Sequence, residues 1–377
     1  MTNSVGLYIH VPFCLSKCPY CDFYSVKPDA ETADAWRDAV CDELTTGRRT
    51  GSLAGGPFVF DTVYFGGGTP SAVGARRLAE ILEAACRVHS IAPGAEITAE
   101  CNPSSADDRF VREAAKAGIN RLSVGLQSAI DDERRRLGRR SGADEAKRVL
   151  DAARGAGIDR LSLDVMLGIP RQTRESLART LAFCRENAGH VSAYLLTLEE
   201  GTPFYDRRDR LALPDEDESA ALYLALCGEM TAGGFTHYEI SNFALPGQAS
   251  RHNLKYWNGD EYLGVGPAAH SFLNGKRFGY DRSLSGFLAG KAPDVYDDGG
   301  DPAEYVMLRL RLGEGVRTDL YEARCGAKPP EAFFRKAREY ARLGLARVSP
   351  DSVSLTDRGM LLSNGIIAAL TETIEAG

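Results

Sequence analysis

From residue 6 to about residue 197 the chain alternates short β-branched or apolar runs with longer stretches whose apolar positions recur at i, i+3 and i+4. The short runs predict strands at Gly6–Val11, Val59–Phe65, Glu96–Cys101, Arg121–Gly125, Arg160–Met166 and Val191–Thr197. The stretches between them predict helices near Thr32–Thr45, Ala75–Val88, Asp107–Ala117, Asp144–Ala153 and Arg174–Glu186. Glycine follows several of these helices, as in Ala117-Gly118 and Arg154-Gly155, where a left-handed residue can close the last turn. Strand and helix in alternation imply a parallel sheet with right-handed crossovers. Six units fall short of the eight that close a barrel, so the expected α/β fold is a partial (β/α)6 TIM-like barrel, a doubly wound sheet also fitting the count. In either arrangement ligands sit at the carboxyl ends of the strands.

After Thr202-Pro203 the pattern changes to an acidic turn (Pro214–Glu218), one helix (Ala220–Ala232) and a loop-rich segment running to about residue 300. The polar, Gly-containing run Asp294–Pro302 reads as a linker. Helical patterns follow at Ala303–Leu312, Asp319–Ala323 and Pro330–Leu343, then a two-stranded signal (Leu345–Val348, Val353–Leu355) and a last helix from Asp357. A chain of 377 residues exceeds the size at which one core stops growing. The expected division is a core at 1–200, a barrel-capping segment at 201–300 and a winged-helix-like C-terminal domain at 301–377.

Composition narrows the function classes. Apolar residues at 44% and charged residues at 26% are ordinary for a globular protein. The net charge of −7 comes without a long basic run, so neither the chain nor its winged-helix-like unit is expected to bind nucleic acid. Residues 1–13 have no basic or apolar leader, and no stretch reaches the roughly 20 apolar residues that span a bilayer. A cytoplasmic location without membrane insertion is expected, peripheral association remaining compatible.

Of nine cysteines, Cys41, Cys86, Cys101, Cys184, Cys227 and Cys325 are scattered and read as reduced, small apolar residues. The other three crowd into Cys14-Leu-Ser-Lys-Cys18-Pro-Tyr-Cys21, directly after the first strand. Three thiolates satisfy three irons of a cubane and leave the fourth open, whereas structural zinc takes four protein ligands. A zinc site completed by a distant Cys or His, in a non-catalytic interaction module, is the competing reading. Spacing, position after the first strand and the aromatic Tyr20 before the last Cys resemble the radical S-adenosylmethionine (SAM) signature. In that superfamily the open iron of a 4Fe-4S cluster chelates SAM, and electron transfer breaks its sulfonium bond.

The second strand runs into Phe65-Gly66-Gly67-Gly68-Thr69-Pro70, whose glycines let the backbone approach a ligand. Later strands place single polar residues where an apolar run ends: Glu100, Gln127 and Asp164. Each alone is an ordinary turn group, but together they form a ring at the barrel mouth. Arg139 could grip a carboxylate with both arms, with Arg140 adjacent.

These pieces resemble the superfamily branch that contains the oxygen-independent coproporphyrinogen III dehydrogenases and the related heme chaperones. The resemblance covers about residues 6 to 290. It implies that Tyr8, Gly67, Gly68, Thr69, Glu100, Gln127, Arg139 and Asp164 contact SAM and that Cys14, Cys18 and Cys21 hold the cluster. The dehydrogenases carry a further Cys where this chain has Phe23, and a long segment ahead of the cysteine motif where 13 residues stand here. Both differences favour the chaperones over a coproporphyrinogen III oxidase, the second reading. The run Arg251-His252-Asn253-Leu254-Lys255-Tyr256-Trp257 matches the H-N-x-x-Y-W motif of the chaperone group. It implies heme contacts from His252, Asn253, Tyr256 and Trp257, although a buried His-Asn turn with two packed aromatics is the plainer reading. His270 is expected to be structural only. The implied partners are heme-accepting proteins, respiratory or other, and an electron donor such as a flavodoxin or ferredoxin.

Overall fold

A computed structural model describes residues 4–375. Six parallel strands form the centre of one sheet: β1 (Ser4–Val11), β2 (Val59–Gly67), β3 (Ser90–Cys101), β4 (Arg121–Gln127), β5 (Arg160–Leu167) and β6 (His190–Leu195). Helices Ala30–Thr46, Ala75–Val88, Asp108–Lys116, Ala143–Gly155 and Arg174–Asn187 connect them, each within a few residues of its sequence expectation. The partial (β/α)6 arrangement is therefore the observed one.

The segment read from the pattern as loop-rich is not loop-rich. It supplies β7 (Thr236–Glu239), β8 (Asn242–Ala244), β9 (Tyr262–Val265), β10 (His270–Leu273), β11 (Lys276–Gly279) and β12 (Asp294–Asp298). These extend the sheet on both sides to the order β12-β11-β10-β9-β1-β2-β3-β4-β5-β6-β8-β7. Strands of three to five residues are too short for a period of two to declare itself, which is why the pattern missed them. The expected linker holds β12, paired antiparallel to β11 through Phe278↔Val295 and Lys276↔Asp298. The helix expected from Ala220 begins at Glu216, because Asp215 accepts the Glu218 N–H at 2.8 Å and Glu218 returns a bond to the Asp215 N–H at 3.1 Å.

Alternation along the central strands divides the sheet into two chemistries. Leu7, Ile9, Val63, Phe65, Leu122, Val124, Leu161 and Leu163 point outward beneath the helices and are fully buried or nearly so. Each contributes on the order of 2 kcal/mol by leaving water. Tyr8, His10, Thr62, Tyr64, Glu96, Glu100, Arg121, Ser123, Asp164 and His190 occupy the other, inner face, as the registers Tyr8↔Tyr64, Thr62↔Glu96 and Gly125↔Asp164 require. The inner face is polar from end to end.

Helix Arg251–Asn258 leads into β9, which runs parallel to β1, so it lies at the amino end of the strands and closes the base of the inner face. Its seat is Glu96, 1% exposed. The Glu96 carboxylate accepts the N–H groups of Arg251 (3.1 Å) and His252 (3.0 Å) and the Arg160 guanidinium (2.7 Å). A buried carboxylate with three donors answers the unpaired N–H groups and positive end of that helix.

The C-terminal part packs helices Pro302–Arg309, Thr318–Cys325 and Glu331–Arg342 on a three-stranded antiparallel sheet of β13 (Val316–Arg317), β14 (Ala346–Val348) and β15 (Ser352–Leu355). Helices Asp357–Leu361 and Ser363–Glu375 complete it. It adjoins the main sheet through Ile240 N–H to Arg311 O (2.9 Å) and Gly313 N–H to Tyr238 O (2.9 Å).

Replacing Glu96 by Ala leaves Arg160 and two helix N–H groups without their acceptor. Denaturant unfolding of E96A is expected to show a loss of roughly 3 kcal/mol, as for a broken buried ion pair. Wild-type stability in E96A would contradict this seat.

Candidate functional site

The cysteine loop leaves β1 at its carboxyl end and is held from several sides. Cys14 N–H donates to Val26 O (3.0 Å), Cys21 N–H to Cys18 O (3.1 Å), and Phe204 N–H to Pro19 O (2.9 Å). Tyr20 packs edge-on against Phe204 with centroids 6.0 Å apart. All three cysteines are half-buried and free. Burial pushes the Cys21 thiol up, and its neighbours Cys18 and Cys14 add to that. Among the described residues the three sulfurs do not all lie within 4.8 Å of one another.

The glycine turn lies at the same end of the strands. Thr69 Oγ1 is 3.3 Å from Cys14 Sγ, Gly68 N–H donates to Val11 O (2.8 Å), and Thr69 N–H donates to Phe13 O (2.7 Å). A Cβ on Gly68 would stand 2.6 Å from Phe13 O, and one on Gly67 (φ +103) would stand 2.4 Å from the His10 ring. Only glycine satisfies both positions.

Around this end the structure brings together the residues picked out along the chain. Glu100 accepts from Tyr64 Oη (2.9 Å) and Gly67 N–H (3.2 Å), and Asp164 accepts from Ser123 Oγ (2.9 Å). Burial, then the charge of Asp164, pushes the Glu100 carboxyl up to about 7. Burial likewise raises Asp164. Gln127 ends β4 at φ +67, a left-handed conformation uncommon for a side chain of its size. Arg139 donates to Gly125 O at 2.6 Å and points Nη1 at Cys18 Sγ, 3.6 Å away, while its buried Nε has no partner. The adjacent Arg140 is exposed. The Tyr8 hydroxyl meets His10 Nδ1 at 3.0 Å.

Several inner-face residues were not singled out by sequence reasoning. His10 links Tyr8 to Tyr24 O (3.1 Å) beneath Gly67, and burial lowers its pKa to about 4. Arg121, 2% exposed, stands among the acidic groups with Nη1 unpartnered. The available signal was the strict polar alternation at His10, Glu96, Arg121, Ser123 and Ser162 within otherwise apolar strands.

The H-N-x-x-Y-W segment is placed elsewhere. Its helix packs against the amino-terminal half of β1, where Lys255 Nζ donates to Ser4 O (3.2 Å) and the His252 ring lies 6.4 Å from that of Tyr8. His252 is fully buried, with Nδ1 2.8 Å from Thr62 Oγ1 and Nε2 2.8 Å from Tyr256 Oη. Both ring nitrogens are thus engaged within the protein, so in this conformation His252 offers no free imidazole nitrogen as an axial ligand. Burial drives its pKa down to about 3, keeping the ring neutral. Tyr64 stacks on it at 5.2 Å, Arg311 covers Trp257 at 5.5 Å, and Asn253 is half-buried on the same helix. His270 on β10 meets Tyr296 Oη (3.1 Å) on β12, across the intervening β11.

Residues 8–184 match the model of the radical SAM superfamily, and residues 301–362 match that of the HemN C-terminal domain. With the cysteine loop and glycine turn at the carboxyl end of a partial barrel, the chain belongs to the radical SAM superfamily. The heme chaperone HemW of Mycobacterium tuberculosis is 35% identical, over 97% of this chain and 94% of the relative. HemW of Escherichia coli is 34% identical, over 96% and 97%, and that of Bacillus subtilis 31%, over 96% and 98%. Within the superfamily this chain is a member of the HemW family. The solved coproporphyrinogen III oxidase (HemN) of E. coli, a radical SAM enzyme, superposes with a TM-score of 0.82 at 21% identity, covering 98% of this chain and 90% of that one. This likeness establishes the shared fold.

Glu100 and Glu239, both raised to about 7, remain protonated in the folded chain where their unfolded counterparts, near 4.5, have ionised. A raised carboxyl costs stability as pH climbs through that interval. The chain without added cofactors is therefore expected to lose stability between about pH 4.5 and about pH 7. Glu100→Gln should flatten part of that slope in thermal scans, and an unaltered slope would refute the Glu100 contribution.

Proposed function

We propose that this protein is a heme chaperone: it binds heme, carries a 4Fe-4S cluster with SAM, and passes heme to acceptor proteins. The observation that carries the radical SAM part is the adjacency of the three-cysteine loop and the Gly67-Gly68-Thr69 turn, 3.3 Å apart at Cys14 and Thr69. Cys14, Cys18 and Cys21 would hold the cluster. Tyr8, Gly67, Gly68, Thr69, Glu100, Gln127, Arg139 and Asp164 would face SAM. When bound, the cluster supplies one-electron reduction of the sulfonium. This chain's own contribution is positional and electrostatic. Glu100 and Asp164 receive a cationic ligand, and such a ligand favours their ionised forms. Arg139 opposes the thiolate of Cys18, and Gly67 and Gly68 let the backbone come close.

Preference for a carrier over the oxidase rests on near full-length similarity to proteins named heme chaperones and on Phe23. That residue is 68% exposed where the dehydrogenases carry a further Cys. Heme contact through His252, Asn253, Tyr256 and Trp257 rests on the motif. Ligation by His252 would require helix Arg251–Asn258 to leave its Glu96 seat and Thr62, or Tyr256 on the same helix to turn away from Nε2. No described helix is long and apolar enough to cross a membrane. We place the protein in the cytoplasm, reduced by a small donor of the flavodoxin or ferredoxin kind and delivering heme to respiratory or other heme proteins.

Anaerobic reconstitution is expected to give a brown protein, with cluster absorbance falling to background in Cys18→Ala. Hemin titration should shift the Soret band, weakened at least tenfold in apparent affinity in His252→Ala. An unchanged titration would leave His252 as a structural plug only. Conversion of coproporphyrinogen III to protoporphyrinogen IX by the reconstituted protein would overturn the carrier reading.

A further inference from the structure

Away from the inner face, three ligand-type atoms converge where the C-terminal part meets the sheet edge. Cys227 Sγ on helix Glu216–Ala232, His237 Nδ1 on β7 and a carboxylate oxygen of Asp357 all lie within 4.8 Å of one another. His237 Nδ1 is 3.0 Å from Asp357 Oδ1 and 4.0 Å from Cys227 Sγ. On the other side of the ring, Nε2 faces Ile240 O at 3.4 Å and the Tyr223 hydroxyl at 3.5 Å. Stacking on Phe243, centroids 4.2 Å apart and planes 13° apart, fixes the ring.

Two chemistries use a Cys, a His and an Asp. A nucleophilic relay needs the thiol on one ring nitrogen and the carboxylate on the other. Here both approach Nδ1, and a single proton on that atom cannot serve them together. With the ring proton on Nε2 toward Ile240 O, the Nδ1 lone pair faces sulfur and carboxylate oxygen, an arrangement a shared cation satisfies. A ring N–H donated to a backbone carbonyl is also the outer hydrogen bond that metal-ligating histidines make. Tetrahedral zinc, with bonds of about 2.0 Å to N or O and about 2.3 Å to S, sets ligand atoms about 3.3–3.5 Å apart. Two of the three separations, 3.0 and 4.0 Å, need about half an ångström of adjustment, and the third, sulfur to carboxylate, lies within 4.8 Å. Burial is uneven: the side chain of His237 is 8% exposed and that of Asp357 43%, which leaves an entry path and room for a water on one side.

We propose that Cys227, His237 and Asp357 bind one divalent transition-metal ion of the zinc type, with water in the fourth position. Binding breaks the S–H bond of Cys227, forms a sulfur–metal bond and releases the proton to solvent. Because the ligating thiol must lose its proton, uptake strengthens as pH rises. The ligands come from a helix and a strand of the main sheet and from the C-terminal helix Asp357–Leu361, so the ion would tie the two together.

The test uses the full chain with Cys14, Cys18 and Cys21 all replaced by Ala, which removes the other thiol cluster. Cobalt(II) titration should reach one equivalent with thiolate-to-cobalt charge-transfer absorption and tetrahedral visible bands, and added zinc should displace the cobalt and raise the melting temperature. Cys227→Ser should remove the charge-transfer band, and Asp357→Asn should weaken binding at least tenfold with an unchanged circular dichroism spectrum. Asp357 lies at the surface, so D357N decides the matter if C227S fails to fold. Absence of stoichiometric uptake, or a charge-transfer band that survives in C227S, would leave only a His237–Asp357 ion pair and overturn the site.

Discussion

The pleat of a β-strand sends neighbouring side chains to opposite faces, and in this protein that constraint separates an oily exterior from an ionic interior. The outward residues of β1 to β6 are consumed by helix packing. The inward ones are carboxylates, guanidiniums, hydroxyls and imidazoles that tolerate the inner face only where they satisfy one another. Glu96 shows the principle at the base, where it meets Arg160 and the first N–H groups of helix Arg251–Asn258. The seal at that end depends on this one carboxylate having three donors.

At the carboxyl end the balance is left unfinished. Glu100 and Asp164 both sit above their ordinary carboxyl range because burial disfavours their charge and neither has a cationic side chain in contact. Arg139 is turned away from them toward Gly125 O and Cys18. Gln127 holds a left-handed backbone at the same rim. A left-handed residue and two buried carboxyls raised above their ordinary range thus share one rim. At the opposite end His252 is wedged between Thr62 and Tyr256, with both ring nitrogens engaged.

That asymmetry bears on how a motif is read. A His followed by Asn, Tyr and Trp announces chemistry along the chain, yet folding turns the imidazole inward and spends both its nitrogens on neighbours 190 and 4 residues away in sequence. Ligation through His252 is then coupled to movement of the helix, because Glu96 and Thr62 lie outside it and must release it, while Tyr256, on the same helix, must turn away from Nε2.

The chain by itself determined the local events: strands and helices of the core, the Cys14–Cys21 spacing, the glycine turn and the polar residues ending each strand. Each depends on neighbours a few positions away, through pleat, helical period and turn chemistry. Tertiary structure alone decided the rest. It joined the short strands β7 to β12 to the two edges of the main sheet, set Arg139 beside Cys18, drew His10 and Arg121 into the inner face, buried His252 and gathered Cys227, His237 and Asp357 at one point. The physical reason is that hydrogen-bond partners and burial are set by long-range pairing, which residue spacing does not encode.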